Sequence, residues 1–370
     1  MGFDELLEPS GAANDIVVIE RLRETRLPIV MYGATVDVAD QIVKKLSSNG
    51  LEVNIVISDE GVPVMTELTK LLNNTVIVHA KDIDTMLTEY NVVLGFVKAY
   101  GNIAGVAEKM RNARSVFYLS EIFEMEEISQ SFVFENKIFL KELYDNLGDQ
   151  HSKGSFIAYL LSKTRQDMKY LPPIFEKIQY FPKGIFEFTD NESYFDCGAF
   201  TGDTIADFLK AAGGSYRHIW AAEPDSSNYK RLIQYIEEQK LTDIDVVNKG
   251  IYGFAGKLPF REDGSMLSMI SDDADGFIEV DTIDNISAGK PVTYIKFDVE
   301  GAELMALKGA ELTIRRYKPI LGISVYHKER DLIDIPAYIK EIAPEYKFYF
   351  RVHKKLAIDT VLYALVDEPS

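Results

Sequence analysis

A chain of 370 residues is long for one domain and comfortable as two, and a composition 46% hydrophobic and 26% charged excludes disordered and fibrous classes. Its 58 acidic against 40 basic side chains give a net charge of −18 with no block of Lys or Arg to offset it, which excludes nucleic acid as an expected partner. The single cysteine, Cys197, cannot form an intramolecular disulfide and fits a reducing compartment.

The opening stretch MGFDELLEPS has no basic region followed by an apolar run, so no secretory leader is expected there. From about residue 20, the apolar runs LPIVMYG, LEVNIVIS, NTVIVHA, NVVLGFV and SVFYLS alternate with amphipathic stretches such as DVADQIVKKLSSNG. That rhythm predicts a small Rossmann-like α/β domain over residues 1–120. The most apolar segment, NVVLGFVKAYGNIAGVA, is broken by Lys98 and Asn102 and falls short of the ~20 residues a bilayer span needs, so a cytoplasmic protein with no membrane partner is expected. Gly33 follows the first strand, but Thr35 stands where a G-x-G-x-x-G loop has its second glycine, and Asp37 near the helix start would repel a pyrophosphate. The expectation is a docking or acceptor-recognition domain, suited also to homo-oligomer contacts, rather than a dinucleotide site.

Residues 121–183 read as a helical connector, with NKIFLKELYDNL and SFIAYLLSKTRQDM broken at Pro172 and Pro173, and with Tyr170, Phe175, Tyr180 and Phe181 available for packing. From residue 184 to 370 the strands SYFDC, HIWAAE, DIDVVNKGI, TYIKFDV, PILGISVY, KFYFRV and TVLYALV follow, most of the first five leading into a helix. Asp225 is placed to cap SSNYKRLIQYIEEQK, and Gly213 with Gly214 to close the helix that starts near Asp203. The last two strands, joined through HKKLAID, suggest an antiparallel hairpin and an open α/β sheet with one reversed strand.

In such sheets, ligands sit beyond the carboxyl ends of the strands where strand order reverses. In YFDCGAFTGDT the first strand of this half ends at Asp196, Gly198 and Gly202 permit a tight turn and a close approach, and the helix near Asp203 offers N–H groups. Glycines also serve ordinary strand-to-helix turns. Glu223, ending the second strand, is placed to accept hydrogen bonds from both hydroxyls of a ribose, or else is a solvated strand end beside Pro224.

The half from residue 184 onward resembles the FkbM family of methyltransferases. YFDCGAFTGDT is similar to the family's Asp-x-Gly-Ala-x-x-Gly loop, AAEPD to its ribose strand, VDTID to the segment before its fourth strand, and IKFDVEGAELMALKGA to its signature strand and helix. The resemblance implies a class I methyltransferase fold and S-adenosyl-L-methionine as cofactor. It places the donor's methionine end near Asp196 to Gly198, its ribose on Glu223 and its adenine beside Asn248 to Tyr252, with Ala199, Thr201, Gly202 and Asp298 also among the donor-binding residues. It also implies a hydroxyl acceptor on a sugar, a glycan precursor or a secondary metabolite, a small-molecule or carbohydrate partner. The alternatives are a module that binds the donor without turnover, and a two-site protein whose N-terminal domain takes a nucleotide or nucleotide sugar.

An alcohol acceptor has to lose its proton. Candidates at the strand ends facing the cleft are Asp298, Glu300 and His327, although Glu300 also suits a helix cap and His327 a plain strand end. Lys296 is placed to pair with Asp298 or with an acidic substrate group. Asp298 and Glu300 are oxygen ligands suited to Mg²⁺; His79, His151, His218, His327 and His353 show no ligand spacing, which argues against zinc, and no metal is expected.

Overall fold

The computed structural model describes residues 3, 15–33, 36–58, 76–95, 110–123, 128–261, 269–270, 276–353 and 359–366. Thr35, Lys98, Asn102 and most of the HKKLAID link lie outside the described residues. Two compact units divide the chain: Met1–Asp145 with Gln150–Glu176 and Val352–Asp359, and Asn146–Asp149 with Lys177–Arg351 and Thr360–Ser370. Among the described residues, no helix is long and apolar enough to cross a membrane.

In the first unit, β1 (Ile29–Tyr32), β2 (Ile55–Ser58), β3 (Val76–His79), β4 (Tyr90–Leu94) and β5 (Ala113–Phe117) form a parallel sheet in the order β3-β2-β1-β4-β5. The central strands β1 and β4 are buried along their whole length, as continuous apolar runs covered on both faces must be, whereas the edge strand β3 has exposed ends. Helices Ile16–Thr25 and Val36–Ser47 turn Val18, Ile19, Leu22, Ala39, Ile42 and Leu46 onto this sheet at helical spacing. Helices Lys137–Asp145 and Gln150–Thr164 also fall in this unit. After the second of them, buried Asp167 accepts from the N–H groups of Val116 and Lys169 and pairs with Arg21 at 3.2 Å, fastening that turn to β5. A short β6 (Phe175–Glu176) pairs in parallel with Val352 and His353 of the same unit.

The second unit contains β7 (Ser193–Cys197), β8 (His218–Ala222), β9 (Ile244–Val247), β10 (Gly250–Ile251), β11 (Gly256–Arg261), β12 (Met269–Ile270), β13 (Gly276–Asp281), β14 (Tyr294–Phe297), β15 (Ile320–Ser324), β16 (Lys347–His353, as far as Arg351) and β17 (Thr360–Leu365). Its main sheet takes the order β16-β17-β15-β14-β7-β8-β9. Strands β15, β14, β7, β8 and β9 are parallel, and β17 runs antiparallel to β15, so the expected reversed strand lies between β15 and β16. Strand order reverses between β7 and β14. One face of the sheet is covered by aromatic packing, with Tyr194 stacked on Phe208 at 4.5 Å and Phe181 5.5 Å from Tyr294, where Tyr180 and Phe181 serve the core as expected.

The segment DIDVVNKGI reads as one strand in the sequence but is two. β9 stops at Val247, where the Asn248 amide donates to the carbonyls of Glu223 and Pro224, and β10 enters a separate small sheet of order β10-β13-β11-β12. A Cβ on Gly250 would come within 2.9 Å of Ile278, so glycine lets β13 approach.

Asp225 caps helix Ser226–Gln239 by accepting from the N–H groups of Ser227 and Asn228, both at 2.9 Å. Asp225→Ala is expected to cost about 1 kcal/mol with the fold retained. Urea denaturation followed by circular dichroism measures it, and an unchanged midpoint would show that the cap adds no stability.

Candidate functional site

The strand-order reversal between β7 and β14 brings Asp196 and Lys296 into register as cross-strand partners. Both are buried, with the Lys296 ammonium 3.1 Å from one Asp196 oxygen while the Thr204 hydroxyl donates to the other at 2.5 Å. The same ammonium donates to the Gly198 carbonyl at 2.6 Å and stands 3.9 Å from Asp298. Isolated ions cannot be buried cheaply, so this set of partners is what allows a lysine inside a central strand. Burial alone would lower the Lys296 pKa, but the carboxylates of Asp196 and Asp298 outweigh it and keep the side chain protonated.

The loop after β7 turns on two glycines with left-handed backbone, Gly198 at φ 81° and Gly202 at φ 93°. A Cβ on Gly198 would lie 2.0 Å from the Asp298 carbonyl oxygen, and one on Gly202 2.5 Å from the Tyr235 ring. The close approach that the sequence implies is therefore made by the protein itself. The loop also bonds back to β8: the N–H groups of Gly198 and Ala199 both donate to Ala222 O at 3.0 Å, and that of Phe200 donates to Glu223 at 2.9 Å. Asp196 and Ala199 are fully buried and build this turn, while Gly198 and Thr201 stay partly exposed.

Glu223, 5% exposed, accepts from Phe200 N on one oxygen and from Asp225 N on the other, both at 2.9 Å. Each oxygen keeps a lone pair for a further donor. Burial pushes this carboxyl up to about 7, with the two backbone N–H groups and Lys296 restraining the rise. Asn248 ties the end of β8 to the end of β9 through its bonds to Glu223 O and Pro224 O.

On the other side of the reversal, the turn after β14 passes through Glu300 and Gly301 with left-handed backbone, φ 52° and 89°. The residue that stitches this turn is Glu303, fully buried, whose Oε1 accepts from the N–H groups of Val299 and Gly301 at 3.0 and 3.3 Å. The same oxygen stands 2.9 Å from His327 Nδ1. Glu300, freed from capping, places Oε2 3.3 Å from His327 Nε2, and Asp298 Oδ1 lies 4.0 Å from that nitrogen and 3.4 Å from the Tyr326 hydroxyl. Burial disfavours a charged ring, yet the three carboxylates outweigh it and raise His327 well above the ordinary histidine range. Burial also raises Glu300, which His327 pulls back, whereas at Asp298 burial is overcome by Lys296 and His327 and the carboxyl is lowered.

The predicted site residues thus form two groups at neighbouring strand ends. Asp196, Gly198, Ala199, Thr201, Gly202, Glu223 and Asn248 gather at β7, β8 and β9, and Asp298, Glu300 and His327 at β14 and β15. Thr204 and Glu303 were assigned no role from sequence. An acidic residue in the first turn of a helix, three positions after Glu300, is the sequence signal that marks Glu303.

Residues 196–348 match the family described as methyltransferase FkbM domain. Methyltransferase FkbM from Methylobacillus flagellatus KT, a crystal structure, is alike in fold with a TM-score of 0.65 at 22% identity, over 98% of this chain and 96% of its own. An rRNA methylase from Streptococcus thermophilus aligns with a TM-score of 0.33 at 12% identity, over 49% of this chain and 89% of that one. Aeropyrum pernix fibrillarin with S-adenosyl-L-methionine bound aligns with a TM-score of 0.33 at 10% identity, over 50% of this chain and 71% of that one. No curated protein matches.

Gly198→Ala and Gly213→Ala separate two penalties. Both positions have left-handed φ, 81° and 65°, but only at Gly198 does an added Cβ meet an atom within 4 Å. Gly213→Ala is expected to cost the backbone term of about 1–2 kcal/mol, and Gly198→Ala clearly more. Equal losses in chemical denaturation would show that the Asp298 carbonyl yields freely.

Proposed function

We propose, from the match of residues 196–348 to the methyltransferase FkbM domain, that this chain transfers a methyl group from S-adenosyl-L-methionine to a hydroxyl of a sugar, a glycan precursor or a related secondary metabolite. The observation that carries the hydroxyl acceptor is the gathering of Asp298, Glu300 and His327, whose ligating atoms lie within 4.8 Å of one another beside the β7 turn. An alcohol oxygen has to lose a proton to become a good nucleophile, and a cluster of carboxylates with a histidine is suited to that work.

S-Adenosyl-L-methionine supplies a methyl group on a sulfonium, open to displacement in one step, so alignment is the main demand on the protein. Glu223 fits the donor: its buried, acceptor-only carboxylate retains a lone pair on each oxygen for the two ribose hydroxyls. The stretch from Asn248 to Tyr252 would flank the adenine, and the partly exposed Gly198 and Thr201 would border the methionine end. On the acceptor side, Glu300 is the group to take the hydroxyl proton, because burial raises its carboxyl while Asp298 is held low. His327, protonated in this arrangement, pairs with Glu300 and fixes its direction.

A methyl-transfer screen with labelled donor against sugars, nucleotide sugars and small alcohols tests the reading, with the linkage of the product settled by NMR. An O-methyl product is expected; methylation confined to nitrogen or carbon would sink it. With an acceptor in hand, Glu300→Gln should lower the rate about 10²- to 10⁴-fold at unchanged donor affinity.

Donor affinity carries its own pH signature. Ribose hydroxyls donate to the ionised form of Glu223, so S-adenosylhomocysteine binding should strengthen as pH rises through about 7 and level off above it. In Glu223→Ala the pH dependence should vanish and binding weaken by about 1.5–3 kcal/mol. Calorimetry in buffers of different ionisation enthalpy should also show proton release on binding near pH 7; a flat profile in the parent protein would remove Glu223 from the ribose.

A further inference from the structure

We propose that Asp298, Glu300 and His327 form a binding site for a divalent cation of the Mg²⁺ and Mn²⁺ class, with Glu303 holding the imidazole in position. Their ligating atoms lie within 4.8 Å of one another. His327 Nε2 stands 3.3 Å from Glu300 Oε2 and 4.0 Å from Asp298 Oδ1. An octahedral cation with bonds of about 2.0–2.2 Å sets adjacent ligand atoms about 3 Å apart and opposite ones about 4 Å apart, and these separations fall in that span.

A second observation is independent of the cluster's charge. His327 is 11% exposed, and both ring nitrogens are buried without a hydrogen bond of normal geometry, although carboxylates stand at ion-pair distance on either side. Nε2 therefore faces two carboxylates at ion-pair distance with no well-directed hydrogen bond to either, which, once an entering cation has displaced the ring proton, is the orientation of a ligand. Nδ1 faces Glu303 Oε1 at 2.9 Å, the arrangement in which a carboxylate behind the ring sets the direction of the ligating nitrogen. Because that oxygen also accepts from Val299 N and Gly301 N, one buried residue fixes both the histidine and the turn that carries Asp298 and Glu300.

The chemistry of the set selects the ion. Two carboxylates favour hard cations, and a single imidazole is compatible with Mn²⁺, while a closed zinc site would need more nitrogen or sulfur ligands. Three protein ligands leave positions for water or for acceptor oxygens. Ligation through one oxygen of Glu300 leaves the other for a proton. The sequence offers Asp298 and Glu300 as oxygen ligands, but histidine spacing, which argues only against zinc, is blind to His327 meeting both across adjacent strands. Cation binding stands apart from the methyl-transfer reading; only its place beside the acceptor hydroxyl rests on that reading.

The test is a titration of the full chain, stripped by chelator, with Mn²⁺ alone, followed by loss of the free-ion electron paramagnetic resonance signal. One saturable ion per chain is expected, displaced by excess Mg²⁺. His327→Gln and Asp298→Asn should each weaken it at least about tenfold, and Glu303→Gln about 10- to 100-fold, with the fold verified by circular dichroism. Absence of saturable Mn²⁺ binding by the unsubstituted chain at millimolar ion overturns the proposal whether or not the variants fold. So does unchanged affinity in folded His327→Gln and Asp298→Asn. Methyl transfer to a hydroxyl by a chain that shows no saturable Mn²⁺ binding would overturn the cation site and leave the proposed activity standing; stoichiometric binding with no hydroxyl acceptor found would do the reverse.

Discussion

The second unit depends on one buried ammonium. Lys296 sits in β14 where strand order reverses, and its single charge is shared among Asp196, the Gly198 carbonyl and Asp298. Those groups belong to two strands and both of the loops that leave them. A charge of this kind cannot be partnered by water, so the protein has to bring all three groups within reach, and doing so fixes the β7 turn against the β14 turn. Removing one partner of a buried pair leaves the other uncompensated, at a cost of about 3–5 kcal/mol. The stability of the sheet and the geometry of the cleft above it are consequently not separable quantities here.

The two sides of that cleft are built with different electrostatics. Around Glu223 the partners are backbone N–H groups, which contribute no net charge, and burial raises the carboxyl. Around His327 the partners are carboxylates, crowded until the ring is more readily charged than a free histidine. A buried carboxylate whose neighbours carry no net charge suits a ribose, whose hydroxyls can donate to it. A crowded acidic pocket suits a positive charge, whether a proton or a metal ion, and so draws cations to the place where an acceptor oxygen would lie.

Much of this was legible in the sequence, and what escaped was non-local. The central strands of both units announce themselves because parallel strands covered on two faces are continuous apolar runs, as in IVMY and IWAA. The caps at Asp225 and at Gly213 and Gly214 follow local chemistry and were readable for that reason. The small sheet was missed because Pro259 argues against a strand in β11, and because GFIEVD alternates over so few residues that Ile278 and Val280 alone face its core. The β7 loop could be read as needing glycine, but not that the atom pressing on Gly198 is the carbonyl of Asp298, which only strand pairing reveals. The surroundings of His327 were hidden for the same reason, since Glu303 becomes its neighbour only once β14 and β15 lie side by side.

Cys197 ends β7 with no exposed surface, between Asp196 and Gly198, and burial pushes its thiol well above the usual range. A maleimide or iodoacetamide needs both access and a thiolate, and the folded strand end denies both. As this is the only cysteine in the sequence, the native chain presents no competing thiol. A cysteine introduced anywhere on the surface can carry a fluorophore or spin label without first removing the natural one, and slow labelling of the parent chain becomes a clock for the opening of the strand that holds the β7 turn.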